Sequence, residues 1–199
     1  MRCDTALSRV VTDQYEDFSK ITHHSLQHAL ADSQVSLDDK GIDELMRAYD
    51  SLSTYPDVAP ALKALQAKKN VHAVVFSNGT HSMVSSSVHG SPDLKPYSSV
   101  FHDIVVVEEI KKFKPAPEVY AHLAKKVGKD PSNPKDMASI WLVSGNPFDV
   151  VGARAVGMQA AWVDRAGNGW LDALVPGEKG RPTVIVKSLE EVVDAVSKT

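Results

Sequence analysis

The 199-residue chain contains a single cysteine. This excludes an intrachain disulfide and fits a reducing compartment, so a cytoplasmic location is expected. No apolar run approaches the roughly 20 residues needed to cross a bilayer. The opening Met1-Arg2-Cys3-Asp4-Thr5 lacks the apolar core of a secretory signal. Neither Gly-x-Gly-x-x-Gly nor the P-loop pattern occurs, so the usual dinucleotide and nucleotide-phosphate fingerprints are both missing. Charge of one sign is not in excess: 22 Lys and Arg face 25 Asp and Glu, for a net charge of −3. A nucleic-acid partner, which would usually call for one basic face, is therefore not expected. Of the eight histidines His24 and His28 stand at helical His-x-x-x-His spacing, but no cysteine partners lie near them, so no metal site is expected. Asn78-Gly79-Thr80 matches the N-glycosylation pattern, but without a signal peptide the match reads as chance.

The pattern that is present divides in two. From about Val10 to Asp50 the signal is helical only. Val11, Tyr15, Phe18, Thr22, Leu26 and Ala29 form one apolar stripe at three- and four-residue spacings. Leu45, Ala48, Tyr49 and Leu52 suggest a second helix behind Asp38-Asp39, a pair suited to a helix N-terminus. From Tyr55 onward helices and strands alternate. Pro56 suits a first helical turn, with Val58, Ala61, Leu62 and Leu65 as the buried face. Short β-branched runs predict strands at Val71–Phe76, Ile104–Val107, Ser139–Val143, Gln159–Val163 and Thr183–Val186. Helices are predicted from Thr80 to about Val88, from Pro117 to Val127 before Gly128, and from Phe148 to Val156 before Gly157. Ser188-Leu189-Glu190-Glu191 is a capping box that opens a last helix. Near-continuous apolar strands alternating with helices imply an α/β domain with a parallel sheet covered on both faces. The expected organisation is a helical subdomain over residues 10–54 and an α/β core over residues 55–199.

Ligands of such sheets sit beyond the carboxyl ends of the strands. Those ends carry Ser77-Asn78-Gly79-Thr80, Lys111-Lys112-Phe113-Lys114-Pro115, Ser144-Gly145-Asn146 with Asp149 one turn later, and Asp164-Arg165. Each has a plainer reading. Ser-Asn-Gly is a good turn and helix cap. Lys114 fits a solvated lysine, and Asp149 fits the positive end of its own helix.

Taken in order, these elements resemble the haloacid dehalogenase superfamily of hydrolases. The residues that carry the likeness are Phe76-Ser77-Asn78-Gly79, then Lys114-Pro115-x-Pro117 with Tyr120. Ser144-x-Asn146-x-x-Asp149 follows with Gly152-Ala153-Arg154 and Gly157, and then Trp162-Val163-Asp164-Arg165. The resemblance is to the L-2-haloacid dehalogenase branch, whose helical cap the Tyr15-x-x-Phe18 pattern fits. It implies a Rossmannoid parallel sheet with helices on both faces and a small cap. It also implies conversion of a 2-haloacid to a 2-hydroxyacid through an aspartyl ester, with no cofactor. Phosphatases of the superfamily place an aspartate at position 144 to hold Mg²⁺; Ser144 leaves Asp149 without that second carboxylate, so no metal is expected. By the same resemblance Ser77 and Asn78 hold the substrate carboxylate, Lys114 pairs with the nucleophile, and Ser144, Asn146 and Asp149 position and activate water. Tyr120 orients this group, and Phe148 and Phe18 line an apolar pocket. Phe148 and Gly145 stand where these dehalogenases often carry tryptophan and serine. The partner implied is a small carboxylate substrate, and a homodimer is compatible with the likeness.

The family's nucleophile motif, Asp-x-[Asp/Tyr]-Gly-Thr at the end of a first strand, does not occur in the chain. Asp13-Gln14-Tyr15 offers only its first and third positions, with Glu16-Asp17 in place of Gly-Thr. The expectation is a core without its first, central strand, read here as an N-terminally shortened form of a longer protein. A non-catalytic binder of small acids is the alternative, and a phosphatase the third.

Overall fold

The computed structural model describes residues 15–49 and 53–196. Val11, Asp13 and Leu52, used in the sequence reading, lie outside them. The helices and strands in chain order are α1 (Phe18–Asp32), α2 (Asp39–Tyr49), α3 (Val58–Gln66), β1 (Ala73–Ser77), α4 (His81–Gly90) and β2 (Phe101–Val106). They continue with α5 (Pro117–Lys126), α6 (Pro134–Ala138), β3 (Trp141–Ser144), α7 (Pro147–Ala155), β4 (Gln159–Val163), β5 (Val184–Val186) and α8 (Leu189–Val196). The chain divides into two compact units, Met1–Thr54 with Val74–Phe113, and Tyr55–Ala73 with Lys114–Thr199. No helix among the described residues is long and apolar enough to cross a membrane.

In the first unit α1 starts where Asp17 accepts the Lys20 N–H at 3.0 Å, the usual work of an N-cap carboxylate. Tyr15 therefore precedes the helix, contrary to the expected stripe. Ile21 and Thr22 are the buried positions, whereas Ala29 is exposed. The periodicity located the helix: Thr22 of the predicted line is buried and Phe18 and Leu26 are half-buried, with Ile21 beside the line buried as well. Asp38 accepts the Gly41 N–H at 2.8 Å and opens α2. The expected second helix is present, with Leu45 44% exposed and Ala48 exposed as well. Spacing reveals a stripe, not what covers it. The strands β1 and β2 pair as a two-stranded sheet, and α4 packs on β2. Thr80 caps α4 by accepting the Met83 N–H at 3.2 Å, and Glu108 accepts the N–H of His81 at 2.7 Å. A carboxylate at that helix start is electrostatically favourable.

The second unit is built on the parallel sheet β3-β4-β5. The register sets Val143 beside Ala161 and Ala161 beside Val184, so these three share a face. On that face Ala161, Val163 and Val186 pack with Val192 of α8, and Leu189 and Val196 flank them. The opposite face carries Leu142 and Ala160, and α7 packs against both β3 and β4. Helices on both faces of a parallel sheet make the α/β architecture. Val143 is nevertheless 39% exposed, since β3 is an edge strand of this sheet.

Several boundaries differ from the sequence reading. The first strand begins at Ala73 rather than Val71 and runs on to Ser77, and β2 begins at Phe101 and ends one residue before the fully buried Val107. Pro56 lies in the turn ahead of α3, not in its first turn. The short α6 was not foreseen. Its signal is Asn133-Pro134, in which Asn133 accepts the Lys135 N–H at 3.0 Å and proline stands at the first helical position. Gly128 and Gly157 do follow α5 and α7 with φ of 72° and 89°, a conformation that disfavours a side chain. In the predicted capping box Ser188 accepts the Glu191 N–H at 3.4 Å, but Glu191 returns to the N–H of Lys187 and not to that of Ser188.

Candidate active site

The turn after β3 and the first turn of α7 place Ser144, Asn146 and Asp149. Pro147 fits the first helical position, where no N–H is required. Asp149 then falls in the first turn and points its carboxylate back toward the strand end. It is 4% exposed. The Ser144 hydroxyl donates to its Oδ2 at 2.9 Å, while the Asn146 N–H donates to Ser144 Oγ at 3.0 Å. Lys114 Nζ lies 3.2 Å from Asp149 Oδ1 and 3.4 Å from Oδ2. Their side chains are only 9% and 6% exposed. Two such charges persist out of water because each compensates the other. The resemblance had assigned Lys114 to the nucleophile; the pairing with Asp149 was not foreseen.

Asn146 occupies the N-cap position of α7, yet its side chain makes no capping hydrogen bond. The exposed amide is thus not committed to the helix. Phe148 is 37% exposed on the same turn. Tyr120 lies on α5 and is fully buried. Its hydroxyl donates to the main-chain oxygen of Asp149 at 3.2 Å. Burial, reinforced by the Asp149 carboxylate, pushes the Tyr120 phenol well above its usual value, so it stays a donor. Tyr120 therefore acts on the placement of Asp149. Gly152, one turn further along α7, makes this possible, since a Cβ there would overlap the Tyr120 ring and hydroxyl.

Ser77, Asn78 and Phe18 belong to the other unit. Ser77 ends β1 and its hydroxyl accepts the Gly79 N–H at 3.0 Å. The turn-and-cap reading of this stretch is therefore realised, and the Ser77 proton remains available for donation. Phe18 opens α1 and meets Phe113 edge-on at 6.2 Å, while Tyr15 stacks on Phe113 at 5.2 Å.

Sequence reasoning missed a second group in the unit that holds Asp149. Arg165 Nε reaches both oxygens of Asp57 at 3.2 and 3.1 Å, and its NH2 lies 3.0 Å from Oδ2. The guanidinium carbon stands 4.2 Å from the Tyr55 ring centre. Asp57 also accepts the first N–H of α8, that of Leu189, at 2.9 Å. Trp162 and Trp170 meet edge-to-face at 4.9 Å. Trp162 and Arg165 were noted only as part of a strand and its end, and Asp57 and Arg165 are too far apart in the chain for spacing to connect them.

A family model for haloacid dehalogenase-like hydrolases matches residues 6–157. An (S)-2-haloacid dehalogenase of Pseudomonas fluorescens is 30% identical over 184 residues, which is 92% of this chain and 74% of that protein. The (S)-2-haloacid dehalogenase 4A of Burkholderia cepacia is 30% identical over 162 residues, 81% of this chain and 65% of that protein. A crystal structure of an L-2-haloacid dehalogenase superposes with a TM-score of 0.84 at 25% identity, covering 98% of this chain and 80% of the other.

Proposed function

Because the chain belongs to the haloacid dehalogenase-like hydrolases, we propose that its Lys114–Asp149–Ser144 cluster serves the hydrolysis of small 2-haloacids. The observation that carries this reading is the buried Lys114–Asp149 pair with Ser144 donating to the same carboxylate, in a chain whose relatives are named (S)-2-haloacid dehalogenases. In that chemistry an aspartate oxygen bonds to C2 of the acid while the carbon–halogen bond breaks and halide leaves with its electron pair. Water then adds to the carbonyl carbon of the ester and gives a proton to a base. The acyl–oxygen bond breaks and a 2-hydroxyacid departs. Asp149 is the base in this scheme, with Ser144 and Asn146 holding the water and Tyr120 fixing Asp149 from behind. Ser77 and Asn78 hold the substrate carboxylate, and Phe18 and Phe148 take its apolar part. With Ser144 as its neighbour, Asp149 offers a hard cation only one charged ligand from this loop, which disfavours a Mg²⁺-dependent phosphatase.

The absence of the Asp-x-[Asp/Tyr]-Gly-Thr motif from the chain favours a second reading, in which this chain binds a small acid without turning it over. One experiment separates the two. The purified chain is titrated calorimetrically with (S)-2-chloropropionate, and halide is assayed over a long incubation. Binding without halide is the outcome expected for this chain alone and supports the binder. Halide release supports the enzyme, and turnover in H₂¹⁸O followed by peptide mass spectrometry then labels the nucleophilic aspartate. Neither binding nor release overturns both readings.

A further inference from the structure

Beyond the carboxyl ends of β3 and β4 lies a cleft of about 580 Å³, whose lining includes Asn146, Trp162, Arg165, Trp170 and Leu171. Small-molecule sites span roughly 300–1,000 Å³, so this space accommodates far more than a three-carbon acid. It begins at Asn146, the uncommitted amide of the catalytic turn. Gly145 also lines it, and a Cβ there would meet nothing closer than the Val163 oxygen at 3.8 Å, so the entry is open.

The charges around the cleft are already engaged. Arg165 is held bidentately by Asp57. The two carboxylate oxygens of Asp164 accept the N–H groups of Asn168 and Gly169 at 3.2 and 2.7 Å. Asp172 accepts the N–H of Leu174 at 3.0 Å. Each charged group here is thus at least partly spent on the protein itself. What remains are aromatic faces and Leu171, which is 77% exposed. The indole N–H groups of Trp162 and Trp170 are buried and make no hydrogen bond. Turning either ring to receive a ligand therefore breaks none.

We propose that this cleft is a subsite for an uncharged aromatic group carried by the acid, so that the chain prefers aryl-substituted carboxylates over short aliphatic ones. The inference rests on the reading of Lys114, Asp149 and Asn146 as an acid-handling site. A ring packed against these indoles contributes roughly a tenfold gain in affinity, the size expected of a well-placed aromatic contact.

The test follows tryptophan fluorescence while the intact chain is titrated with propionate, 2-phenylpropionate and the neutral 2-phenylpropanamide. The expected result is about tenfold tighter binding of 2-phenylpropionate than of propionate, with the difference lost in Trp170→Ala and propionate affinity unchanged. Saturation-transfer NMR on the unmodified chain, which does not depend on a variant folding, should show stronger transfer to the ring protons than to the methyl group. Equal affinity for the two acids, or a preference that survives Trp170→Ala, overturns the subsite. Failure of both acids to bind while the amide binds in a Trp170-dependent way removes the acid-handling reading and leaves the aromatic cleft standing. Failure of all three probes overturns the cleft as well.

Discussion

Tyr120 and Gly152 are a matched pair: the ring of one fills the space that a side chain on the other would need. Through this fit the Tyr120 hydroxyl reaches the main-chain oxygen of Asp149. Gly152→Ala should destabilise the chain by about 1–3 kcal/mol through overpacking, measured by urea denaturation. Tyr120→Phe removes the hydroxyl that the new methyl meets, so the double variant should lose less than the sum of the single losses. Additive losses would show that the two positions do not interact.

Lys114 balances Asp149 in surroundings that exclude water. Lys114→Met should cost about 3–5 kcal/mol, because it strands a buried carboxylate without its cation. A combined Lys114→Met, Asp149→Leu variant should recover much of that loss, since an apolar pair leaves no charge unpaired. Chemical denaturation of the three variants at neutral pH checks both statements.

The local pieces of this site were legible because they are local. Ser144 and Asn146 follow an apolar run, Pro147 opens a helix, and Asp149 falls one turn later, all within eight residues. Gln159–Val163 was readable for the same reason, as a run of small and apolar residues between a glycine and a charged turn. The Lys114–Asp149 pairing spans 35 positions and depends on how α5 and α7 pack, which no spacing rule encodes. Gly152 was legible only as part of the motif that carries the resemblance; that it makes room for the Tyr120 ring depends on the packing of α5 against α7. The stripes of α1 and α2 located their helices but not how deeply each position is covered: periodicity marks an apolar face, while burial depends on a neighbour supplied from elsewhere in the chain.

Alkaline stability should report on Tyr120. Its phenol is raised above the ordinary value of 10.0 by burial and by Asp149. Tyr15 is raised too, by burial and then by Glu108 and Asp17. A folded-state value above the unfolded one means that stability is complete below pH 10 and is lost as pH climbs past it. Thermal melts from pH 8 to 11 should show falling midpoints, and Tyr120→Phe should make the decline shallower.

Acid stability should report on Asp57. Burial acts to raise its carboxyl, but the Leu189 N–H and the Arg165 guanidinium outweigh that and hold it below the ordinary 3.8. Stability from this group is present above that pH and is lost as pH falls below it. Asp57→Asn should flatten the acid limb of the stability profile. At neutral pH it should also cost about 1 kcal/mol or more, since it weakens both the grip on Arg165 and the cap on α8. Melts between pH 2.5 and 7 test both effects.

The most direct test of the acid-handling site is a calorimetric titration with (S)-2-chloropropionate of the unmodified chain beside Asn78→Ala and Ser77→Ala variants that retain their fold by circular dichroism. The account predicts saturable binding by the unmodified chain and at least roughly tenfold weaker binding by each variant, the size of one lost charged or hydrogen-bonded contact. Unchanged affinity in both variants, or no binding by the unmodified chain, would contradict it.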